Sequence, residues 1–105
     1  GRYAGDKNIF ITRVNGDSMN KVMEDGSLIA VKPIELSQLK NNDIVVYKFD
    51  NEYAVKRFFK DNDKIIFRPD SNDPTFTDLV IKLNELDDGR ELIIKGKVVL
   101  YIVEL

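Results

Sequence analysis

The chain has 105 residues, 43% of them hydrophobic, and its 16 basic and 18 acidic side chains give a net charge of −2. This size fits a single domain, 1–105, and no apolar run approaches the roughly 20 residues that a membrane-spanning helix needs. The sequence contains neither histidine nor cysteine, which excludes a Ser-His-Asp triad, a cysteine nucleophile and a disulfide scaffold, and the slight negative charge argues against DNA binding by this domain itself.

Runs of strand-forming residues dominate the sequence, and turn residues separate them. In chain order they cover residues 8–14, 27–32, 43–49, 53–59, 64–68, 91–95 and 97–103. Residues 50–52 predict a tight hairpin, and Gly96 is a possible bulge within one long or two short final strands. Single helical turns are expected at 18–23 and 35–39, and segment 69–89 is predicted to be irregular. The pattern predicts a mostly β fold, a sandwich or partly open barrel of short strands with few helical turns.

Ser18 follows the turn Asn15-Gly16-Asp17 after the first predicted strand. A sharp turn before a serine exposes its hydroxyl and directs neighbouring backbone N–H groups to one point, as an oxyanion site requires. The same four residue types are common in ordinary turns, and the local pattern by itself favours that interpretation.

A serine nucleophile needs a base, and lysine is the strongest candidate in this sequence. Its amine has to be neutral at about pH 7, so burial has to lower a pKa of about 10.4 by roughly three units. Lys21 has the S-x-x-K spacing from Ser18, but the companion motifs of penicillin-binding enzymes are missing, and we reject that assignment. Lys56 lies in an apolar strand, where it either points inward while Arg57 reaches solvent or extends along an edge to water; periodicity leaves both open.

Four sequence blocks resemble the LexA and phage-repressor family of self-cleaving serine peptidases in order and spacing. They are residues 16–19, 25–31, 42–46 and 55–57, and the likeness continues through 67–72 and 96–99. The resemblance implies a LexA-like C-terminal domain with a Ser-Lys dyad, in which Ser18 is the nucleophile and Lys56 the general base. It also implies oxyanion-binding backbone N–H groups around Asp17, Ser18 and Met19. Asn20 departs from the pattern, because many relatives have proline there, and this puts only the local turn shape in question.

The resemblance further implies a transcriptional repressor that cleaves itself on RecA-dependent SOS induction, and more narrowly a prophage repressor from a low-GC Gram-positive host. The apolar run 98–103 is expected to form a homodimer, because an uncovered apolar face or edge is a liability in a monomer. Operator DNA is expected to bind only a helix-turn-helix domain that, like the cleavage linker, is absent from this chain. We expect a cytoplasmic protein without cofactor, metal or membrane partner.

Two alternatives remain open for the same chain. One is a non-catalytic dimerisation module of a prophage repressor, which an antirepressor protein inactivates. The other is a UmuD-like accessory protein of a mutagenesis polymerase. The pair Ala4-Gly5 matches the type of bond that the family cleaves. However, the strand that follows spans about 20 Å, which puts Gly5 near its far end from Ser18, so we expect the scissile bond to lie upstream.

Overall fold

The computed structural model describes residues 8–88, 90–102 and 104, and its core element is one antiparallel sheet of seven strands. The sheet curls into a half-barrel, which confirms the mostly β prediction. The strands are β1 (Phe10–Arg13), β2 (Leu28–Lys32), β3 (Ile44–Phe49), β4 (Glu52–Asp61), β5 (Lys64–Arg68), β6 (Leu79–Lys82) and β7 (Leu92–Ile102). Two 3-10 helices, Leu36–Gln38 and Leu83–Asp88, complete the described elements. No helix in the described ranges is long and apolar enough to cross a membrane.

The strand order is β1-β2-β7-β3-β4-β5-β6, so the last strand lies in the middle of the sheet. Short turns connect β3 to β4 and β4 to β5. Asp50 and Asn51 have φ values of 48° and 71°, the two positive angles of a type I′ turn, which confirms the predicted hairpin. Asn62, with φ 52°, lies in the turn between β4 and β5.

The C-terminal half of the chain corrects one prediction and decides between two alternatives in another. The segment 69–89 was expected to be irregular, but it contains β6 and the second 3-10 helix. Strand β6 is only four residues long and follows a turn-rich stretch, so its apolar character is too short to stand out. The final strand is one long element, and its register with β3 skips Lys95, next to the expected bulge at Gly96.

Buried side chains form two clusters in the described part of the chain. The first lies along β3, β4, β5 and β6, where the rings of Tyr47 and Phe67 stack with centroids 3.7 Å apart. The second joins the start of the chain to the sheet and comprises Val14, Met19, Met23, Ile29, Val31 and Val46. The second cluster therefore anchors the turn that carries Ser18. Ala4-Gly5 and Val103, which figured in the sequence-based expectations, lie outside the described residues.

Candidate active site

Ser18 lies in a tight turn between β1 and β2, for which we use the name nucleophile turn (residues 16–23). Gly16 begins it with φ 92°, a conformation that suits glycine, and donates its backbone N–H to Asp25 Oδ1 at 2.8 Å. Met19 and Met23 are 1% and 2% exposed, and the Met23 N–H donates to the Met19 carbonyl at 2.8 Å. Two buried methionines one helical turn apart thus fix the turn to the core and leave the half-buried Ser18 at its surface.

Lys56 reaches Ser18 from β4. Its Nζ donates to Ser18 Oγ at 2.8 Å and to the carbonyl oxygen of Val55 at 3.2 Å. Burial lowers the pKa of the Lys56 amine, because the ammonium loses water contacts. The contact expected from the sequence is therefore present, in surroundings that favour the neutral amine more than water does.

Lys21, the rejected alternative base, is exposed on the same turn. In the described part of the chain its side chain makes no hydrogen bond with Ser18, and only its backbone is engaged, donating to the carbonyl of Asp70 at 3.1 Å. The nucleophile turn therefore presents its serine to Lys56 and not to the lysine three positions away.

Two backbone N–H groups at Ser18 and Met19 have no partner within the described part of the chain. The Asp17 carbonyl, by contrast, accepts a hydrogen bond from the Asn20 N–H at 3.3 Å. The side chain of Asp17 is exposed. Unpaired N–H groups beside a serine hydroxyl are the feature that an oxyanion site needs.

The Arg57 side chain is partly covered by neighbouring residues. Its Nε donates to Asp70 Oδ2 at 2.9 Å, and the two side chains are only 23% and 30% exposed. Its Nη1 lies 3.3 Å from Asn42 Oδ1. Strand alternation left the exposure of Arg57 open, because it cannot reveal a partner 13 positions further along the chain that covers the guanidinium.

The segment after β5 forms the other side of the site, and sequence reasoning missed its contacts. The Asp70 N–H donates to the carbonyl of Ser18 at 2.8 Å. Asn20 Nδ2 donates to Asn72 Oδ1 at 2.8 Å, and the backbone N–H of Asn72 donates to Asn20 Oδ1 at 2.9 Å. The only sequence signal was that residues 67–72 belong to the resemblance, which does not say what they touch.

The donor set of the site consists of a hydroxyl, an amine and backbone amides. In the described residues no group of three or more histidine, cysteine, aspartate or glutamate side chains is placed to hold a metal ion. The arrangement supplies the parts of nucleophilic acyl transfer, namely a hydroxyl, a base in contact with it and nearby N–H donors.

Comparison with known proteins gives a consistent result. The family model described as Peptidase S24-like matches residues 3–99. LexA repressor 1 of Geobacter sulfurreducens is 37% identical over 91 residues, which cover 86% of this chain and 41% of that protein. The LexA repressor of Clostridium acetobutylicum is 37% identical over 67% of this chain and 35% of its own length. The LexA repressor of Caldicellulosiruptor saccharolyticus is 41% identical over 64% of this chain and 33% of its own length. The chain thus spans less than half the length of these relatives.

Proposed function

Because the chain belongs to the Peptidase S24-like family, we propose that it is the self-cleaving endopeptidase domain of a LexA-like repressor. The observation that carries the proposal is the 2.8 Å contact between Lys56 Nζ and Ser18 Oγ in a half-buried site. Its reaction is the hydrolysis of one peptide bond in the protein's own chain, by a serine nucleophile and a lysine base.

Acylation begins when Lys56 is neutral. The Ser18 O–H then donates to Nζ across the same contact, and Nζ takes the proton as Oγ attacks the carbonyl carbon of the scissile bond. The developing oxyanion accepts hydrogen bonds from backbone N–H groups of the nucleophile turn, those of Ser18 and Met19 in particular. These donors are fixed by the buried Met19 and Met23 side chains, so they need little reorganisation during the reaction.

Lys56 also completes the cleavage. The tetrahedral intermediate collapses to an ester on Ser18 Oγ, and the Lys56 ammonium gives its proton to the departing amine. Lys56, neutral again, then removes a proton from a water molecule that attacks the ester. As the ester breaks, Lys56 returns that proton to Ser18 Oγ, and the new carboxylic acid loses its own proton to water. The products are a carboxylate and the free Ser18 hydroxyl, with Lys56 neutral again and no cofactor needed.

The strand that carries Lys56 offers a place for an extended substrate. The register of β4 with β5 begins at Arg57, so within the described strands residues 52–56 are paired only with β3. We propose that the cleavage segment, upstream of the domain in the full-length chain, docks beside this free edge as an added strand. One turnover in cis needs little affinity, because tethering supplies a high effective concentration.

The same domain serves as the dimerisation module of the repressor. Ile11, Leu100 and Ile102 are 55%, 52% and 40% exposed, and the strand register places them on one side of β1, β2 and β7. An apolar surface of this kind is suited to a second copy of the chain. In this proposal operator DNA is bound by a separate N-terminal domain, and cleavage between the two domains removes the avidity of the dimer.

Induction in the cytoplasm would follow contact with the RecA filament, which favours docking of the cleavage segment. The main alternative is a dimerisation module without peptidase activity, controlled by an antirepressor, and the exposed apolar surface fits it equally well. A UmuD-like polymerase accessory protein would use the same dyad with a short arm in place of a DNA-binding domain. The contact of Ser18 with Lys56 favours the peptidase.

Mutation of the two residues in the full-length protein tests the proposal. Incubation at alkaline pH is expected to yield two fragments from the unmodified protein and none from Ser18→Ala or Lys56→Ala. Lys21→Ala is the matched control, since it removes an exposed lysine from the same turn, and it is expected to cleave normally. An intact unmodified protein under these conditions, or cleavage that persists in Ser18→Ala, would show that the proposal is wrong.

A further inference from the structure

The loop after β5 holds the nucleophile turn by both its backbone and a side chain. We call residues 69–73 the clamp loop. Asp70 uses both of its backbone groups, because its N–H donates to the Ser18 carbonyl at 2.8 Å and its carbonyl accepts from the Lys21 N–H at 3.1 Å. Ser18 is therefore held at its own carbonyl group, whose carbon is bonded to the Cα from which the hydroxyl side chain extends.

A second pair of hydrogen bonds joins the same two segments. Asn20 and Asn72 exchange them reciprocally, at 2.8 Å and 2.9 Å, with the Asn20 amide both donating and accepting. An amide that makes both bonds fixes the distance and the orientation of the two segments together. Asn20, two positions after the nucleophile, thus ties the nucleophile turn to the clamp loop.

The clamp loop is in turn fastened to the strand of the base. Arg57 follows Lys56 directly on β4, and its guanidinium donates to the Asp70 carboxylate at 2.9 Å. A charged pair that is only partly exposed holds its geometry better than a fully solvated pair. The route from Lys56 to Ser18 through Arg57 and Asp70 therefore fixes the spacing of the two reacting groups independently of the contact between them.

We propose that Asn20 and Asp70 are positioning residues, which hold the Ser18 hydroxyl within reach of Lys56. The inference rests on the proposed function, since positioning matters only if Ser18 reacts. The buried side chains of Met19 and Met23 attach one side of the nucleophile turn to the core, but they leave its exposed side free to shift. The clamp removes that freedom at Ser18 itself, and small displacements of a nucleophile reduce rates strongly.

Asn20→Ala in the full-length protein is the most direct test. It removes both reciprocal hydrogen bonds, which lie near the surface, so the domain is expected to keep its melting temperature within a few degrees. The rate of self-cleavage is expected to fall about tenfold, the loss of one or two hydrogen bonds. The pH midpoint of the rate is expected to stay unchanged, because Lys56 keeps its surroundings. Asn84→Ala, in the second 3-10 helix, is the matched control and is expected to cleave at the normal rate.

A second measurement does not depend on cleavage. Hydrogen exchange of the Asp70 amide, which donates to the Ser18 carbonyl, is expected to speed up in Asn20→Ala while the amides of β3 and β4 stay protected. Asn72→Ala removes one of the two bonds and is expected to give a smaller change of the same kind. Unchanged exchange of the Asp70 amide in Asn20→Ala, or a normal cleavage rate in that variant, would show that Asn20 does not position Ser18. If the unmodified protein never cleaves but Asn20→Ala speeds the exchange of the Asp70 amide, the clamp loop still holds the nucleophile turn and only the peptidase function is refuted.

Discussion

Lys56 lies directly opposite Val45 in the register of β3 and β4, and Val45 is completely buried. Cross-strand partners share one face of a sheet, so the lysine stem starts on an apolar surface before its amine reaches Ser18. Desolvation is the cause of the lowered pKa of Lys56. The position of the residue in the sheet, rather than a neighbouring positive charge, therefore prepares the amine to act as a base.

The first prediction is the pH profile of self-cleavage. The neutral amine is the reactive form, so the rate should rise about tenfold per pH unit while Lys56 is protonated and level off above its pKa. Because burial lowers that pKa, the plateau should begin below the ordinary value of about 10.4. Cleavage rates can be compared with an NMR titration of the Lys56 side chain in Ser18→Ala. Equal rates at about pH 7 and about pH 10 would identify another base or a limiting conformational step.

The second prediction concerns stability. The folded-state pKa of Lys56 is lowered, so the unfolded chain binds the proton more tightly and the lysine destabilises the fold at neutral pH. This cost should shrink as pH rises above the folded pKa and vanish above about 10.4, where both states are neutral. Lys56→Met should therefore raise the free energy of unfolding in urea at about pH 7, and the gain should shrink steadily on the way to about pH 10.

Lys21→Met is the control for that measurement, because it replaces an exposed lysine of the neighbouring turn. It should change the free energy of unfolding by less than about 0.5 kcal/mol at every pH. A Lys56→Met gain that is independent of pH would mean that packing, and not the charge of the amine, sets the cost.

Much of the sheet follows from local sequence because alternation and turn chemistry act over a few residues. Asp50-Asn51 specifies the hairpin by itself, since both residues tolerate positive φ. Strand β6 was missed for the converse reason. Its four residues gain their strand geometry by pairing with β5, and Val80 on it remains 48% exposed, so no strong apolar pattern marks it.

The site was predictable only in part, for a related reason. Ser18 and Lys56 were identified through the resemblance, and nothing in the local pattern distinguished them from a turn serine and a surface lysine. The clamp could not be foreseen, because Asn20 and Asn72 are 52 positions apart and each alone is an ordinary turn residue. Asn20 stands where the resemblance suggests proline, and its side-chain amide makes contacts that proline has no group to make.

The third prediction concerns the close approach of β7 to β2 at Gly96. A Cβ added at Gly96 would lie 2.5 Å from the carbonyl oxygen of Lys32 and 2.6 Å from Val31 Cγ1. Backbone cannot move away cheaply in the middle of a sheet, so Gly96→Ala should destabilise the domain by about 1–3 kcal/mol in urea unfolding. Lys95→Ala, at the exposed bulge residue beside it, should stay within about 0.5 kcal/mol. An equal loss in both variants would place the strain in the bulge instead.

The fourth prediction is the dimer and the surface that forms it. Strand β7 lies between β2 and β3, but its register with β3 ends at Lys97, so within the described strands residues 98–102 pair only with β2 and leave an edge and exposed side chains to be covered. Leu100 and Ile102 share a side with Ile11, and Leu100 is 52% exposed.

We expect sedimentation at tens of micromolar to show a dimer for the unmodified domain and a monomer for Leu100→Glu. Val80→Glu is the matched control, because Val80 is 48% exposed on β6, at the opposite end of the sheet, and should leave the dimer intact. A dimer that survives Leu100→Glu but dissociates in Val80→Glu would move the interface to the β6 end, and a monomeric unmodified domain would remove it altogether.

If the dimer forms as expected, Leu100→Glu should leave self-cleavage unchanged, because the residue lies on a strand that contributes no group to the contact of Ser18 with Lys56. Association and cleavage would then be separable properties of one small domain.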